Sequence, residues 1–336
     1  MKYQKSRFLS DKLAKSDRII IITHVNPDGD AIGSTLAMAG IIKKLGKEVN
    51  IVTPNDFPKF LHWMSGSEDI LVHFRKKKEV EKRISDADLI ICIDFSDSGR
   101  LEQAEKIVVN SSSFKVLIDH HPDPSNFTDL VISDPALGSS AEIVYYLIKD
   151  MGYEHLIDKS IAENLYTGVM TDTGNFSFAS SYPMVWKMVA ELLKKGIDKD
   201  EIYAKVYDNY SEKRMRLMGY CLYKNMQIFE EYNTAIISLS KEEMDRFDHE
   251  PGDTEGFVNL PFSIRGIKLT ALFLEKKDHI RISLRSRGSF SVNEMSRKYL
   301  NGGGHKNAAG GELRMSLDKA IEEFKSILNH YKEELK

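Results

Sequence analysis

Short apolar runs alternate with helix-period stretches through the first 180 residues. The runs at 18–23, 48–53, 87–94 and 115–119 are rich in Ile, Val and Leu. This alternation predicts βαβ units around a parallel sheet. Between the first two runs, 31–45 spaces its apolar residues for a helix, and Gly46 closes it. The stretch 57–82 is less regular, and its His62 and His73 read as surface or packing histidines. Further helices are predicted near 139–151, 159–170 and 182–195. From 198 to 231 the chain is polar, helical and without a strand pattern, which suits a connection between domains. A strand at 234–239 and a helix at 241–247 open the second part, followed by a helical turn at 254–260. The alternating runs 268–275 and 279–286 predict a hairpin. A helix at 292–299, a glycine-rich loop at 301–311, a short strand and a last helix at 317–332 complete the chain. The expected layout is α/β in two domains, an amino-terminal parallel-sheet domain (1–190) and a smaller carboxyl-terminal α/β domain (231–336). A helical linker (191–230) joins them, and the active-site cleft is expected between the two.

Composition narrows the class. The chain has 336 residues, 42% hydrophobic and 29% charged, enough for two cores in an ordinary globular protein. No run of about 18 apolar residues is present, so no membrane span is expected. The first 17 residues read as a polar amphipathic helix without a signal-peptide core. Two cysteines, Cys92 and Cys221, exclude a disulfide framework and a Cys-rich zinc site, so a cytoplasmic location is expected. The net charge of −3 is unevenly spread: residues 261–314 carry 11 Lys and Arg against 4 Asp and Glu. A basic segment on an otherwise acidic chain suits an anionic partner, or simply a solvated charged face.

The candidate chemistry lies where the apolar runs stop. The first ends in His24-Val-Asn-Pro-Asp28-Gly-Asp30, which alone reads equally as a ligand cluster or as a strand-to-helix turn with Asp30 as N-cap. The run Leu89–Ile93 leads into Asp94, the run to Ile118 leads into Asp119-His120-His121, and a helical stretch leads into Asp172. Strand ends of a parallel sheet share one rim, so His24, Asp28, Asp30, Asp94, His120 and Asp172 can converge there. So many carboxylates repel one another unless positive charge is supplied. Oxygen and imidazole donors without thiolate suit Mn²⁺ or Mg²⁺. Six side chains fit two ions, about 4 Å apart and sharing a carboxylate, better than one. Such a pair activates water near neutral pH and clamps the oxygens of an in-line displacement at phosphorus.

The motifs HVNPDGDAIGS, IDFSDSGRL, Asp119-His120-His121 and TDTGNF resemble the DHH phosphoesterase superfamily. The later GGGHKNAAGG resembles the glycine-rich loop of the accompanying DHHA1 domain, so the likeness runs from His24 to Gly311. Domain order and length are similar to the nanoRNase/pAp phosphatase branch. The resemblance implies one metal on His24, Asp28 and Asp94, and a second on Asp30, Asp94, His120 and Asp172, with Asp94 shared. It implies two divalent ions, Mn²⁺ favoured over Mg²⁺. Asp119 would orient a histidine, and His121 would stabilise the phosphate or protonate the leaving oxygen, making His121, Asp94 and Asp119 the catalytic set. Asn175 stands where the family often has Arg or another residue, and Arg100 reads equally as a phosphate contact or a structural ion pair.

In the second domain, alternation puts Arg285 and Arg287 on one side of a strand, where guanidinium forks can take phosphate. The loop Asn301-Gly302-Gly303-Gly304-His305 lets backbone approach a ligand, although such a turn is often only a connection. Together with the resemblance, Arg285, Ser286, Arg287, Gly303, Gly304 and His305 form the expected substrate clamp. The resemblance implies short single-stranded RNA acted on from an end, or 3′-phosphoadenosine 5′-phosphate (pAp), as substrate. The rivals are pApA or cyclic di-AMP, then pyrophosphate or polyphosphate. A nucleotide sensor without chemistry is disfavoured because every matched ligand position is filled. A homodimer is compatible with this reading.

Overall fold

The computed structural model describes residues 3–208, 210–250 and 252–336, the side chains of residues 3, 4 and 305 excepted. The chain divides into two compact units, 1–209 and 210–336.

The first unit runs through β1 (Arg18–Ile22), β2 (Glu48–Thr53), β3 (Leu71–Val72), β4 (Leu89–Ile93), β5 (Phe114–Asp119) and β6 (Leu130–Ser133). Its helices are α1 (Tyr3–Lys15), α2 (Gly29–Lys44), α3 (Lys77–Ser85), α4 (Glu105–Val109), α5 (Ser140–Asp150), α6 (Lys159–Asp172), α7 (Pro183–Leu193) and α8 (Lys199–Tyr207). The strands form one parallel sheet in the order β3-β2-β1-β4-β5-β6. The continuous apolar runs follow from burial on both faces. Ile19, Ile21, Ile91 and Ile93 pack in the core with α2, α5 and α6, while Ile20, Ile22, Ile90 and Cys92 pack in the core with α3 and α4. Burial pushes the Cys92 thiol up to about 12, which leaves it inert. The chain leaves β1 for β2 on one side and returns to β4 on the other. The ends of β1 and β4 therefore flank the point where the order reverses, where such sheets bind ligands.

Close approach of α2 and α6 fixes one wall of that point. A Cβ on Gly33 would sit 2.5 Å from the Asn164 carbonyl oxygen and 2.9 Å from the Gly168 nitrogen. One on Gly168 would meet the Ala141 Cβ at 2.7 Å. Glycine at both positions is what lets the helices bring their amino- and carboxyl-terminal turns together.

The second unit holds β7 (Met226–Phe229), β8 (Thr234–Leu239), β9 (Leu269–Glu275), β10 (Ile280–Ser286), β11 (Gly303–His305) and β12 (Ala308–Leu313). Its helices are α9 (Glu212–Tyr220), α10 (Lys241–Arg246), α11 (Val292–Tyr299), α12 (Leu317–Asn329) and α13 (Lys332–Leu335). The sheet is mixed, in the order β11-β12-β10-β9-β8-β7, with β8 and β9 parallel. Phe273, Phe324 and Leu284 pack in the core with α11 and α12, and Leu217, Met244 and Leu272 in the core with α9 and α10.

Four elements differ from the sequence reading. β3 and β6 extend the first sheet, and β7 forms in the stretch read as having no strand pattern. β3, β6 and β7 are edge strands with few buried residues, so no apolar run announces them. The glycine-rich loop is in fact the hairpin of β11 and β12, whose Gly and Ala residues give no hydrophobic alternation. Of the stretch 191–230, α8 belongs to the first unit and α9 to the second.

Candidate metal centre

β1 delivers His24 to the rim. Thr23 Oγ1 donates to the Ile93 carbonyl (2.9 Å) and ties the ends of β1 and β4 together. His24 Nδ1 lies 2.8 Å from the Val25 carbonyl oxygen and 3.1 Å from Arg100 Nη2. The Val25 carbonyl only accepts and the Arg100 guanidinium only donates, so Nδ1 can satisfy one of the two; in the tautomer that donates to Val25, the Nε2 lone pair is free for a cation. Nε2 is 3.5 Å from Asp94 Oδ2. Burial lowers the His24 pKa, which favours the neutral, ligating ring.

Asp28 and Asp30 lie two residues apart but are held by different partners. Asp28 is the N-cap of α2, its Oδ1 accepting from the Asp30 and Ala31 amides, each at 3.1 Å. The alternative in which Asp30 caps the helix does not hold, because Asp28 has the extended backbone of a cap and Asp30 is already helical. Burial raises the Asp28 carboxyl, but His24 and the two amides outweigh it, so its pKa is lowered. Asp30 turns inward onto the first turn of α5, accepting from the Ser140 amide (2.6 Å) and the Ala141 amide (2.9 Å). A helix amino terminus suits a carboxylate. Burial nevertheless pushes Asp30 up to about 6.

Asp94 is the hub. It follows β4 in the left-handed region, φ +71°, a conformation that costs a non-glycine residue roughly 1–2 kcal/mol. Its Oδ1 accepts from Ser140 Oγ (2.8 Å) and lies 3.8 Å from His120 Nε2 and 3.9 Å from His121 Nδ1. Burial raises its pKa well above the carboxylate range, with Asp30, Asp28, Asp172 and Asp119 adding repulsion. His120 Nε2 also reaches Asp172 Oδ2 at 3.2 Å, while its Nδ1 lies 3.3 Å from the Leu137 carbonyl. Asp119, fully buried at the end of β5, accepts from His121 Nδ1 at 2.7 Å. The pairing leaves His121 Nε2 as the atom that can give or take a proton.

Ligating atoms of His24, Asp28 and Asp94 lie within 4.8 Å of one another, as do those of Asp30, His120 and Asp172, and of Asp94, His120 and His121. All six expected ligands are therefore gathered, with Asp94 touching both sides. The donor chemistry fits divalent cations. Each pair of like charges about 4 Å apart repels by on the order of 4 kcal/mol at an effective dielectric of about 20. Burial raises Asp94 and Asp30 and neighbouring carboxylates add to it, and a cation would offset both. Sequence reading missed Ser140 and Ala141. The signal was available in Ser139-Ser140-Ala141-Glu142, a cap pattern in which Ser139 Oγ accepts from the Glu142 amide (3.1 Å). It also left out Arg100, whose guanidinium stands at His24.

The expected clamp residues are less uniform. Arg281, Arg285 and Arg287 alternate outward along β10 and just beyond it. Arg287 lies over the Phe262 ring, 4.5 Å from its centroid, and donates to the Phe262 carbonyl. Ser286 faces inward instead, donating to the Phe290 carbonyl (2.7 Å) and accepting from Asn307 Nδ2 (2.8 Å). The Gly304 amide donates to Asn293 Oδ1 (3.0 Å), and Gly303 pairs with Gly310. His305 ends β11, its side chain lying outside the described residues.

A parallel sheet that gathers carboxylates and imidazoles at its switch point, followed by a mixed-sheet domain, defines a DHH-type phosphoesterase. Residues 18–169 match the DHH family, N-terminal domain, and residues 232–334 match the DHHA1 domain. A protein of Thermus thermophilus named "Bifunctional oligoribonuclease and PAP phosphatase NrnA" is 32% identical over 99% of this chain and 95% of its own length. Its Bacillus subtilis namesake is 28% identical over 90% of this chain and 91% of its own. The crystal structure of an exopolyphosphatase-related protein from Bacteroides fragilis superposes with a TM-score of 0.96 at 44% identity, covering 99% of this chain and 97% of that one. The chain belongs to the DHH–DHHA1 phosphoesterase family.

Proposed function

We propose that the protein hydrolyses phosphate esters of short oligoribonucleotides from an end, and the 3′-phosphate of pAp, using two divalent cations, preferably Mn²⁺. The observation that carries this reading is the pair of ligand sets meeting at Asp94 in a chain that aligns along its length with relatives named for those two activities. His24, Asp28 and Asp94 would hold one cation, and Asp30, Asp94, His120 and Asp172 the other. Bound there, the cations would supply the positive charge that acidifies water and neutralises phosphate oxygens. Asp119 fixes the His121 ring so that Nε2 can protonate the departing oxygen. Arg285 and Arg287, with the Gly303-Gly304-His305 hairpin, would take the anionic end of the substrate. Two buried, unpaired cysteines suit a reducing cytoplasm, and no described helix is long and apolar enough to cross a membrane.

The test is release of mononucleotide from a dinucleotide in Mn²⁺. Chelation or Asp94→Ala should abolish it, and full activity of Asp94→Ala would sink the proposal. A second reading, phosphate release from pyrophosphate or polyphosphate, is favoured by the name of the Bacteroides relative alone. Turnover of those compounds but not of dinucleotides, pAp or cyclic di-AMP would select it.

A further inference from the structure

The turn that follows Asp172 is strained, tightly bonded and crowned by an aromatic ring that the cation chemistry does not use. Gly174, Asn175 and Phe176 have φ of +54°, +53° and +61° in succession, and Ala179 has +49°. Asparagine tolerates this region, but phenylalanine rarely adopts it. The turn is nevertheless fixed at every step. The Asn175 amide donates to the Met170 carbonyl (2.7 Å), the Phe176 amide to Thr173 Oγ1 (3.0 Å) and the Phe178 amide to the Thr173 carbonyl (3.1 Å). A Cβ on Gly138 would meet the Ala179 carbonyl oxygen at 2.6 Å, so the turn also packs against the entry to α5. Phe176 is taken up by the core, its ring 5.8 Å from Tyr166 and 5.1 Å from Trp186.

Phe178 is different. Its ring lies over Gly174, where any Cβ would be 2.3 Å from Phe178 Cε1, yet 54% of the residue stays exposed. Glycine at 174, two residues after Asp172, thus seats a half-open aromatic face. A flat ring held beside an anion-handling centre matches a nucleobase, which stacks on aromatic faces without regard to sequence. We propose that Phe178 is a base-stacking platform for the nucleotide whose phosphate is at the Asp94–Asp172 cluster. This rests on the phosphoesterase reading and adds what the enzyme grips besides phosphate.

Equilibrium dialysis in Mn²⁺, with AMP and ribose 5-phosphate as probes, isolates the base. The wild-type chain should bind AMP about tenfold more tightly than ribose 5-phosphate. Phe178→Ala should bring the two within twofold, and Phe178→Tyr should keep the preference. Phe178→Leu fills the space over Gly174 without a ring and decides the matter if the alanine variant does not fold. An unchanged AMP preference in the alanine or leucine variant overturns the proposal, as does a wild-type chain with no preference. A shift in sedimentation on substitution with AMP preference intact would assign the ring to a protein contact, also overturning it. Failure of the wild-type chain to turn over both dinucleotides and pAp would sink the proposed function, while the dialysis still decides Phe178.

Discussion

Replacing Gly33 by alanine tests whether the contact between α2 and α6 sets the geometry of the centre. The new Cβ would lie 2.5 Å from the Asn164 carbonyl oxygen, where ordinary contacts begin near 3.4 Å, so something must move by roughly 0.9 Å. The neighbours are backbone atoms of α6, with Gly168 nitrogen and Cα at 2.9 and 3.0 Å, and no side chain can rotate away. Overpacking of this kind costs about 1–3 kcal/mol, and two rigid helices place it at the upper end. Alanine returns about 1 kcal/mol through helix propensity. The net expectation is destabilisation by about 2 kcal/mol. Gly40 is the control on the same helix: its Cβ would meet only Ile161 Cγ1 (2.8 Å) and Cδ1 (3.1 Å), a side chain that can shift. A rotamer change costs about 0.5–1.5 kcal/mol, so Gly40→Ala should fall within about 0.5 kcal/mol of the parent. Because α2 carries Asp30 and α6 carries Asp172, Gly33→Ala should also weaken Mn²⁺ binding while Gly40→Ala leaves it intact. Urea unfolding and calorimetric Mn²⁺ titration measure the two effects. Equal stabilities for the two variants, or undiminished Mn²⁺ affinity in Gly33→Ala, would refute the reasoning.

Ser140→Ala removes the hydroxyl that donates to Asp94 at 2.8 Å, and should lower Mn²⁺ affinity at least about tenfold by calorimetry. An unchanged affinity would remove Ser140 from the centre. Asp30, raised by burial from 3.8 to about 6, binds its proton more tightly in the folded chain. Its contribution to the stability of the cation-free protein is thus present below about pH 4 and lost as pH rises through about 6, and bound Mn²⁺ should offset that loss. Cations must displace the same proton, so Mn²⁺ affinity should fall as pH drops below about 6, and a flat profile between pH 5 and 8 would contradict this. Asp158, the N-cap of α6, has its pKa lowered to about 2: burial opposes the shift, but the Ile161 amide and Lys44 outweigh it. Asp158→Ala should cost about 1 kcal/mol in urea unfolding near neutral pH, with little from the half-exposed ion pair. That difference should shrink as pH falls from about 4 towards 2, and its persistence at pH 3 in full would count against the cap.

The central strands were legible because their sides are buried in two separate cores, which forces uninterrupted runs such as Leu89–Ile93. Each run stops at the carboxyl end of its strand, so Asp94 and Asp119 could be placed on one rim from sequence alone. Edge strands obey weaker constraints. Met226–Phe229 pairs with a neighbour on one side, and its Gln227 and Ile228 are exposed, so its composition resembles that of a loop. The hairpin at Gly303–Leu313 was hidden for another reason: its register depends on backbone approach, as at Gly304, where a Cβ would sit 2.5 Å from the Ala308 carbonyl oxygen. The cap pattern at 139–142 marks a helix start, but the contact of Ser140 to Asp94 spans 46 residues of chain and leaves no local signal. Ser286 illustrates the opposite error. It stands between two arginines in sequence, and strand alternation turns it to the other face.

The positions of four of the six candidate ligand side chains follow from their anchors. Asp28 and Asp30 each accept two backbone amides, Asp94 accepts the Ser140 hydroxyl, and the His24 ring is held through Nδ1 by Val25. Hydrogen bonds to charged acceptors contribute about 1.5–3 kcal/mol each, comparable with the repulsion between neighbouring carboxylates. The strand ends and the α5 amino terminus therefore set the positions of these side chains. The different roles of Asp28 and Asp30 come from the same source. An N-cap keeps an extended backbone, so Asp28 turns back towards His24, whereas Asp30, two positions further in, is drawn to α5 and the His120–Asp172 side. One strand-to-helix turn thus supplies Asp28 to one cluster of candidate ligands and Asp30 to another, and Asp94, in the left-handed region, lies near His24 of the first and His120 of the second.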